Sequence, residues 1–129
     1  MHGNYAPNKL TNECDVLIAI GMRFDDRVTG NLKTYAKQAK IIHFEIDPAE
    51  INKNVKVDIP VLGDAKKSLE VILPLLKKNN HKDWLSKFKK LYDIEYDKVI
   101  KNEIYPTKKG LTMAEVINEI TTIQMVTLQ

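Results

Sequence analysis

Hydrophobic positions change their spacing along this chain, and the change divides it. From Asp15 to Gly21 the run DVLIAIG is almost continuously apolar, rich in branched side chains and stopped by glycine. It predicts a strand buried on both faces of a parallel sheet. A second such run, AKIIHFEID from Ala39 to Asp47, follows the interval NLKTYAKQA (Asn31 to Ala39), which is made of helix formers. Strand, crossover helix and strand make a βαβ unit with a right-handed connection. In open parallel sheets the ligand crevice lies beyond the carboxyl ends of the strands. Met22 to Thr29 and Asp47 to Glu50 emerge there, so both loops are candidate ligand walls.

Further along, Asp47 is placed to cap a short helix, with Pro48 at its first position and Glu50 at the third, a variant capping box. Val57 to Leu62 (VDIPVL) predicts a third strand, short or at a sheet edge because Pro60 lacks a ladder donor. Gly63-Asp64 supplies a turn and an N-cap. Leu69, Ile72, Leu73 and Leu76 then recur at helical spacing on a packed helix, which Pro74 should kink or end near Leu73. After a break at Asn79, Asn80 and His81, the stripe Trp84, Phe88, Leu91, Tyr92, Glu95 and Val99 predicts a long amphipathic helix whose apolar face covers a sheet or a neighbouring domain. Thr112 opens a last helix carrying Met113, Val116, Ile117 and Ile120, with Glu115 at capping-box spacing.

The loop after the first strand, GMRFDDRVTG from Gly21 to Gly30, concentrates two arginines, two aspartates and two glycines. At a strand's carboxyl end this composition suits a phosphate or an acidic ligand. The plainer alternative is that Arg23, Asp25, Asp26 and Arg27 pair with one another and cap the next helix. His43, inside a strand, reads as a satisfied structural histidine, and His2 as a terminal residue.

Composition narrows the function classes. The 129 residues are 43% hydrophobic and 29% charged, ordinary for a water-soluble domain. No run approaches the roughly 20 apolar residues of a membrane span, and the N-terminus lacks a signal-peptide pattern, so a cytoplasmic location is expected. Cys14, the one cysteine, can form no internal disulfide and reads as a small, half-buried apolar side chain. Residues 1–64 carry a net −1 and residues 65–129 a net +4. The later lysines, Lys77, Lys78, Lys82, Lys87, Lys89 and Lys90, surround apolar helix positions without interleaved aromatics, which predicts a solvated face and no nucleic-acid partner.

Three strands make a thin sheet, and a chain that opens Met-His-Gly straight into an ordered pattern is expected to be a fragment. The opening Met1-His2-Gly3, the block GMRFDDRVTG, the segment IIHFEIDPAEINKN, the turn LGDA from Leu62 to Ala65 and the downstream PTKKGLTMAEVI together resemble the catalytic subunits of the acetolactate synthase (acetohydroxyacid synthase) family. These are thiamine-diphosphate-dependent enzymes that condense two pyruvates, or pyruvate with 2-oxobutyrate, with loss of CO₂ in branched-chain amino-acid synthesis. The fold implied is α/β: a partial parallel-sheet, Rossmann-like (DHS-like) central domain of about three strands with flanking helices, plus a C-terminal linker helix. Residues 1–78 match the C-terminal half of the FAD-binding central domain, 79–108 the linker helix, and 109–129 the start of the thiamine-diphosphate domain.

The resemblance also implies site residues. Met1, His2 and Gly3 match a turn against the flavin. Gly21, Met22, Arg23, Phe24 and Asp25 match the loop holding the FAD phosphates and ribitol, Glu45 and Ile46 the strand end at the adenosine ribose, and Asp64 with Ala65 the turn near the adenine. Asp26 and Arg27 match the mouth of the substrate channel, where the family's herbicides bind. Chemistry agrees: a guanidinium suits a diphosphate, a carboxylate suits a ribose diol, and Gly21 admits close backbone approach. A plain N-cap suits Asp47 better than ligand contact.

The departures limit what the segment can do. Mg²⁺ and thiamine diphosphate require a Gly-Asp-Gly segment followed by paired asparagines, and no Gly-Asp-Gly is present; the family's activating glutamate lies in another domain. No catalytic or metal-ligating residue is expected here, and the segment alone should be inactive. The expected partners are 2-oxo acids, a second copy in a homo-oligomer and a regulatory small subunit, with self-association favoured by the open sheet edge. Two other classes fit the same pattern: a non-catalytic module binding NAD or ADP, and an interaction domain docking through the Trp84 to Val99 helix.

Overall fold

The computed structural model describes residues 3–107 and 110–127, the side chains of 126 and 127 excepted. It divides into two compact units, Met1–Lys82 and Asp83–Gln129.

The first unit opens with α1 (Tyr5–Thr11), which buries Ala6 and Leu10. Strands β1 (Val16–Ile20), β2 (Lys40–Glu45) and β3 (Ile59–Leu62) form a parallel sheet in the order β1-β2-β3. Val16 pairs with Lys40 and Ile20 with Phe44 on one side of β2, and Ile42 with Ile59 and Glu45 with Leu62 on the other. Pro60 sits on an edge strand, as its missing N–H requires. The α/β class, the parallel pairing and the weak third strand therefore agree with the sequence pattern.

Side-chain alternation separates two faces. Leu17 and Ala19 share the inner face with Ile41 and His43, and this face meets Phe24, Tyr35, Ala36 and Val57 in the core. The outer face is less covered, with Val16, Ile18, Ile20 and Ile59 about half exposed. Burial of the first strand on both faces is thus corrected: among the described residues only its inner face is packed.

The crossover also departs from the pattern. Helix α2 is a single turn, Asp26–Thr29, stopped by Gly30 at φ 59°. Residues 31–38 form turns, not the helix their composition predicts. Side-chain bonds win there, two local and one long-range: Asn31 Oδ1 accepts from Lys33 N (3.0 Å), the Thr34 hydroxyl donates to Asn31 O (3.1 Å), and Asn12 Oδ1 takes the N–H of Ala36, held at φ 42° (2.9 Å).

After β2, Asp47 Oδ1 accepts from Ala49 N (2.9 Å) and caps a 3₁₀ turn at Pro48–Glu50. Glu50 does not close the box; its Oε1 takes Lys53 Nζ at 2.7 Å instead. Asp64 caps α3 (Ala65–Ile72) by accepting from Lys67 N at 2.9 Å, and α3 packs against β2. Pro74 ends the helix where predicted, in a 3₁₀ turn at Leu73–Leu75. No residue of α3 is buried, and Leu73 and Leu76 are exposed, so its apolar stripe is only partly packed.

In the second unit α4 (Lys82–Glu95) runs through a π-helical turn at Tyr96–Ile100 into α5 (Lys101–Ile104), which packs against α6 (Met113–Thr127). Trp84 and Phe88 meet edge to face, 5.8 Å apart, on the predicted stripe. The capping box at α6 is complete: Glu115 N donates to Thr112 Oγ1 (3.1 Å) and Thr112 N to Glu115 Oε2 (3.4 Å).

Cys14 is buried and donates to Thr11 O at 3.1 Å, and burial, reinforced by the charge of Asp15 and opposed by its backbone hydrogen bond, raises its thiol pKa. A raised pKa leaves less thiolate at any given pH, so alkylation of native protein at pH 8 should be slower than that of the denatured chain. Equal labelling rates would contradict this burial. Leu10 is only 1% exposed. Leu10→Ala should cost about 2–5 kcal/mol by urea denaturation, the usual loss for a buried leucine with its cavity.

Candidate functional site

Parallel register brings three chain ends to one rim. Gly21 N donates to Phe44 O (2.8 Å), and Gly63 N donates to Glu45 O (2.9 Å), so the ladder runs one residue past β1 and β3. The loop from Gly21, the strand end at Glu45 and Ile46, and the turn at Asp64 and Ala65 therefore leave the sheet side by side. This assembles Gly21, Met22, Arg23, Phe24, Asp25, Glu45, Ile46, Asp64 and Ala65 along the carboxyl edge. Gly3 lies before α1, where its carbonyl accepts from Asn8 Nδ2 at 3.2 Å; Met1 and His2 are outside the described residues.

The loop has a defined shape because Phe24 anchors it. Phe24 adopts φ 51°, a strained choice for a bulky side chain, yet its ring is 2% exposed. The ring meets Tyr35 (centroids 6.3 Å) and His43 (4.9 Å) edge to face, and its carbonyl accepts from Asn54 Nδ2 at 3.1 Å. Gly21, at φ 59°, has nothing within 4 Å of where a Cβ would stand. Its need for glycine is conformational, and the space beside it is open.

Charge on the loop is divided. Asp25 Oδ1 accepts from Val28 N (3.1 Å) and caps α2, as the plainer alternative proposed. The other half of that alternative fails: among the described residues no ion pair joins Arg23 or Arg27 to Asp25 or Asp26. Arg23, Asp26 and Arg27 are exposed. Glu45 is 8% exposed, and its Oε1 accepts from Ile46 N (2.9 Å) and Asp47 N (3.3 Å). Its second oxygen lies 3.7 Å from His43 Nε2, beyond hydrogen-bond length.

Two cavities border the loop. One of about 470 Å³ lies between α1 and the loop and is lined by Pro7, Leu17, Met22, Arg27 and Tyr35. The other, about 310 Å³, is lined by Phe24, Asp25, Asp26, Thr29 and Asn54. Asp26 and Arg27, adjacent in sequence, thus face different spaces.

Residues 1–72 match the family model described as "Thiamine pyrophosphate enzyme, central domain". The chain belongs to this family. It is 47% identical over 129 residues to a probable acetolactate synthase large subunit of Methanocaldococcus jannaschii, covering 93% of this chain and 21% of that protein. It is 46% identical to the acetolactate synthase large subunit of Buchnera aphidicola subsp. Schizaphis graminum, over 84% of this chain and 20% of that protein. A third such subunit, from Parasynechococcus marenigrum, is 61% identical over 54% of this chain and 11% of that protein. The chain spans about a fifth of the length of the first two relatives. The central-domain match covers the whole sheet and every candidate site residue.

Two contributors to the site escape a reading of the sequence alone. Asn54 gave no signal beyond its place in a polar loop. A satisfied structural histidine is expected at position 43, but His43 is fully buried with neither ring nitrogen hydrogen-bonded among the described residues. Removing the Asn54 clasp should loosen the loop: Asn54→Ala should speed amide exchange of Val28 and Thr29 about fivefold, the worth of one ordinary hydrogen bond. Unchanged exchange there would show that Phe24 holds the loop without it.

Proposed function

We propose that this chain is a segment of an acetolactate synthase large subunit and supplies its FAD-binding loops and part of the wall of its substrate channel. The observation that carries the reading is the common rim, where Arg23 without an acidic partner among the described residues, an open Gly21 and a Glu45 carboxylate held by two backbone amides stand together. This donor set fits a dinucleotide-like cofactor. Arg23 would hold the diphosphate through paired charge-assisted bonds, with Gly21, Met22, Phe24 and Asp25 shaping the loop around it. Glu45 Oε2 would accept from a ribose hydroxyl beside Ile46, and the Asp64-Ala65 turn would border the adenine. Met1, His2 and Gly3 would approach the flavin. Asp26 and Arg27, which border separate cavities, would flank the 2-oxo acid entry from either side, where the Arg27 cation attracts a carboxylate.

In such an enzyme two pyruvates, or pyruvate and 2-oxobutyrate, yield acetolactate or acetohydroxybutyrate and CO₂. Thiamine diphosphate with Mg²⁺ supplies the carbon–carbon chemistry there, while FAD transfers no net electrons. The residues of this segment bind, orient and exclude water, and the segment by itself is inactive. Residues 1–78 then form the second half of the central domain, 79–108 the linker helix and 109–129 the entry to the thiamine-diphosphate domain. A cytoplasmic homo-oligomer with a regulatory small subunit completes the reading. No helix among the described residues is long and apolar enough to cross a membrane.

Arg23→Ala, made in the polypeptide that carries this segment, should lower flavin affinity about tenfold, one charge-assisted contact, with little change in melting temperature. Absorption at flavin wavelengths after purification reads it out. Flavin content equal to that of the unaltered protein would sink the assignment.

A further inference from the structure

His43 is a buried polar side chain on the inner face that reaches both the candidate loop and the end of β2. Its ring packs edge to face on Phe24 of the loop at 4.9 Å, and its Nε2 stands 3.7 Å from Oε2 of Glu45 at the strand end. It is 0% exposed, and neither ring nitrogen has a hydrogen-bond partner among the described residues. Its neighbours offer none: in register it sits between Ala19 of β1 and Pro60 of β3, with Ile41 preceding it on the same face. Glu45, next along the same face of β2, is the charged group that the ring approaches. A neutral imidazole carries one N–H, and leaving that donor unmade in a core is costly. An apolar residue would fill the place without this cost.

We propose that His43 is a positioning residue that sets the Glu45 carboxylate for a cofactor hydroxyl and ties it to the Phe24-anchored loop. The inference rests on the cofactor reading above. Glu45 Oε1 is already fixed by the amides of Ile46 and Asp47, so only Oε2 has freedom. The gap to His43 exceeds an ordinary hydrogen bond by about 0.7 Å, within the reach of a small side-chain rotation. A hydroxyl donating to Oε2 from outside and Nε2–H donating from below would together hold the carboxylate plane. Because the same ring braces Phe24, a shift of Glu45 is felt by the loop that carries Arg23.

The test separates the donor from the packing, in the polypeptide that carries this segment, with flavin affinity read by fluorescence quenching of added FAD and folding by thermal melting. His43→Phe keeps the ring contact and deletes the donor, and His43→Leu serves if phenylalanine is too large to fold. His43→Gln returns an N–H near the Nε2 position. The donorless variants should bind FAD about tenfold more weakly without a lower melting temperature, and the glutamine variant should stay within about threefold of the unaltered protein. Donorless variants that bind FAD normally, or glutamine and leucine variants that lose affinity equally, would overturn the role of His43. An unaltered protein that takes up no FAD would instead overturn the cofactor reading itself.

Discussion

Strand β2 is the constraint on which the sheet-bearing unit depends. It is the central strand, and both neighbours are parallel to it, so its register alone decides what meets at the carboxyl edge. A slip of one residue would exchange the faces of β2 and move Ile41, His43 and Glu45 out of the core side. The bonds that guard against this lie at the functional end, where Gly21 and Gly63 donate to the consecutive carbonyls of Phe44 and Glu45. Pairing and site assembly are thus one event. The same ladder that holds the strands sets the spacing between the loop and the strand end.

Phe24 carries that order from the sheet into the loop. A phenylalanine in the left-handed region is tolerated only when its surroundings over-determine it. Here a buried ring against Tyr35 and His43, together with the Asn54 clasp on its carbonyl, outweighs a local cost of about 1–3 kcal/mol. The benefit is directional. With Phe24 turned inward, its neighbours Arg23 and Asp25 are exposed, one without an acidic partner among the described residues and the other capping α2. Strain at one residue therefore frees a charge at the next.

Much of this was legible in the residues, for reasons that differ by element. The two apolar runs, Pro60 in a weak strand, Pro74 ending α3 and the Thr112–Glu115 box are local signals, and each appears in the structure. The interval 31–38 misled because helix propensity is a weak prior: Asn31 and a bond from Asn12, 24 residues away, outbid it. The candidate loop was legible through composition and position, whereas its anchor was not. No periodicity announces that Asn54 reaches Phe24 across 30 residues, or that His43 lies between apolar neighbours with no hydrogen-bond partner among the described residues. Side-chain bonds over long separations are set by packing, and packing is what a pattern of apolar positions leaves undetermined.

The two faces of the sheet bear on how the segment works. A parallel sheet is ordinarily covered on both sides. On β1 and β2 the inner face meets that expectation, with Ala19, Ile41 and His43 closed over by the loop and the turns, while Val16, Ile18 and Ile20 on the outer face stay about half exposed. At the edge strand Leu62 of the inner face is exposed too, and Phe44 is the buried residue of the outer face. Hydrophobic stabilisation scales with area removed from water, at roughly 25 cal/mol per Å², so the two faces contribute unequally to holding β2 in place. The better-packed face is the one that carries Phe24, His43 and Glu45. The rigidity needed to preorganise a ligand rim is therefore concentrated on the side where the rim residues are anchored, and further cover on the outer face would add stability without having to reshape the site.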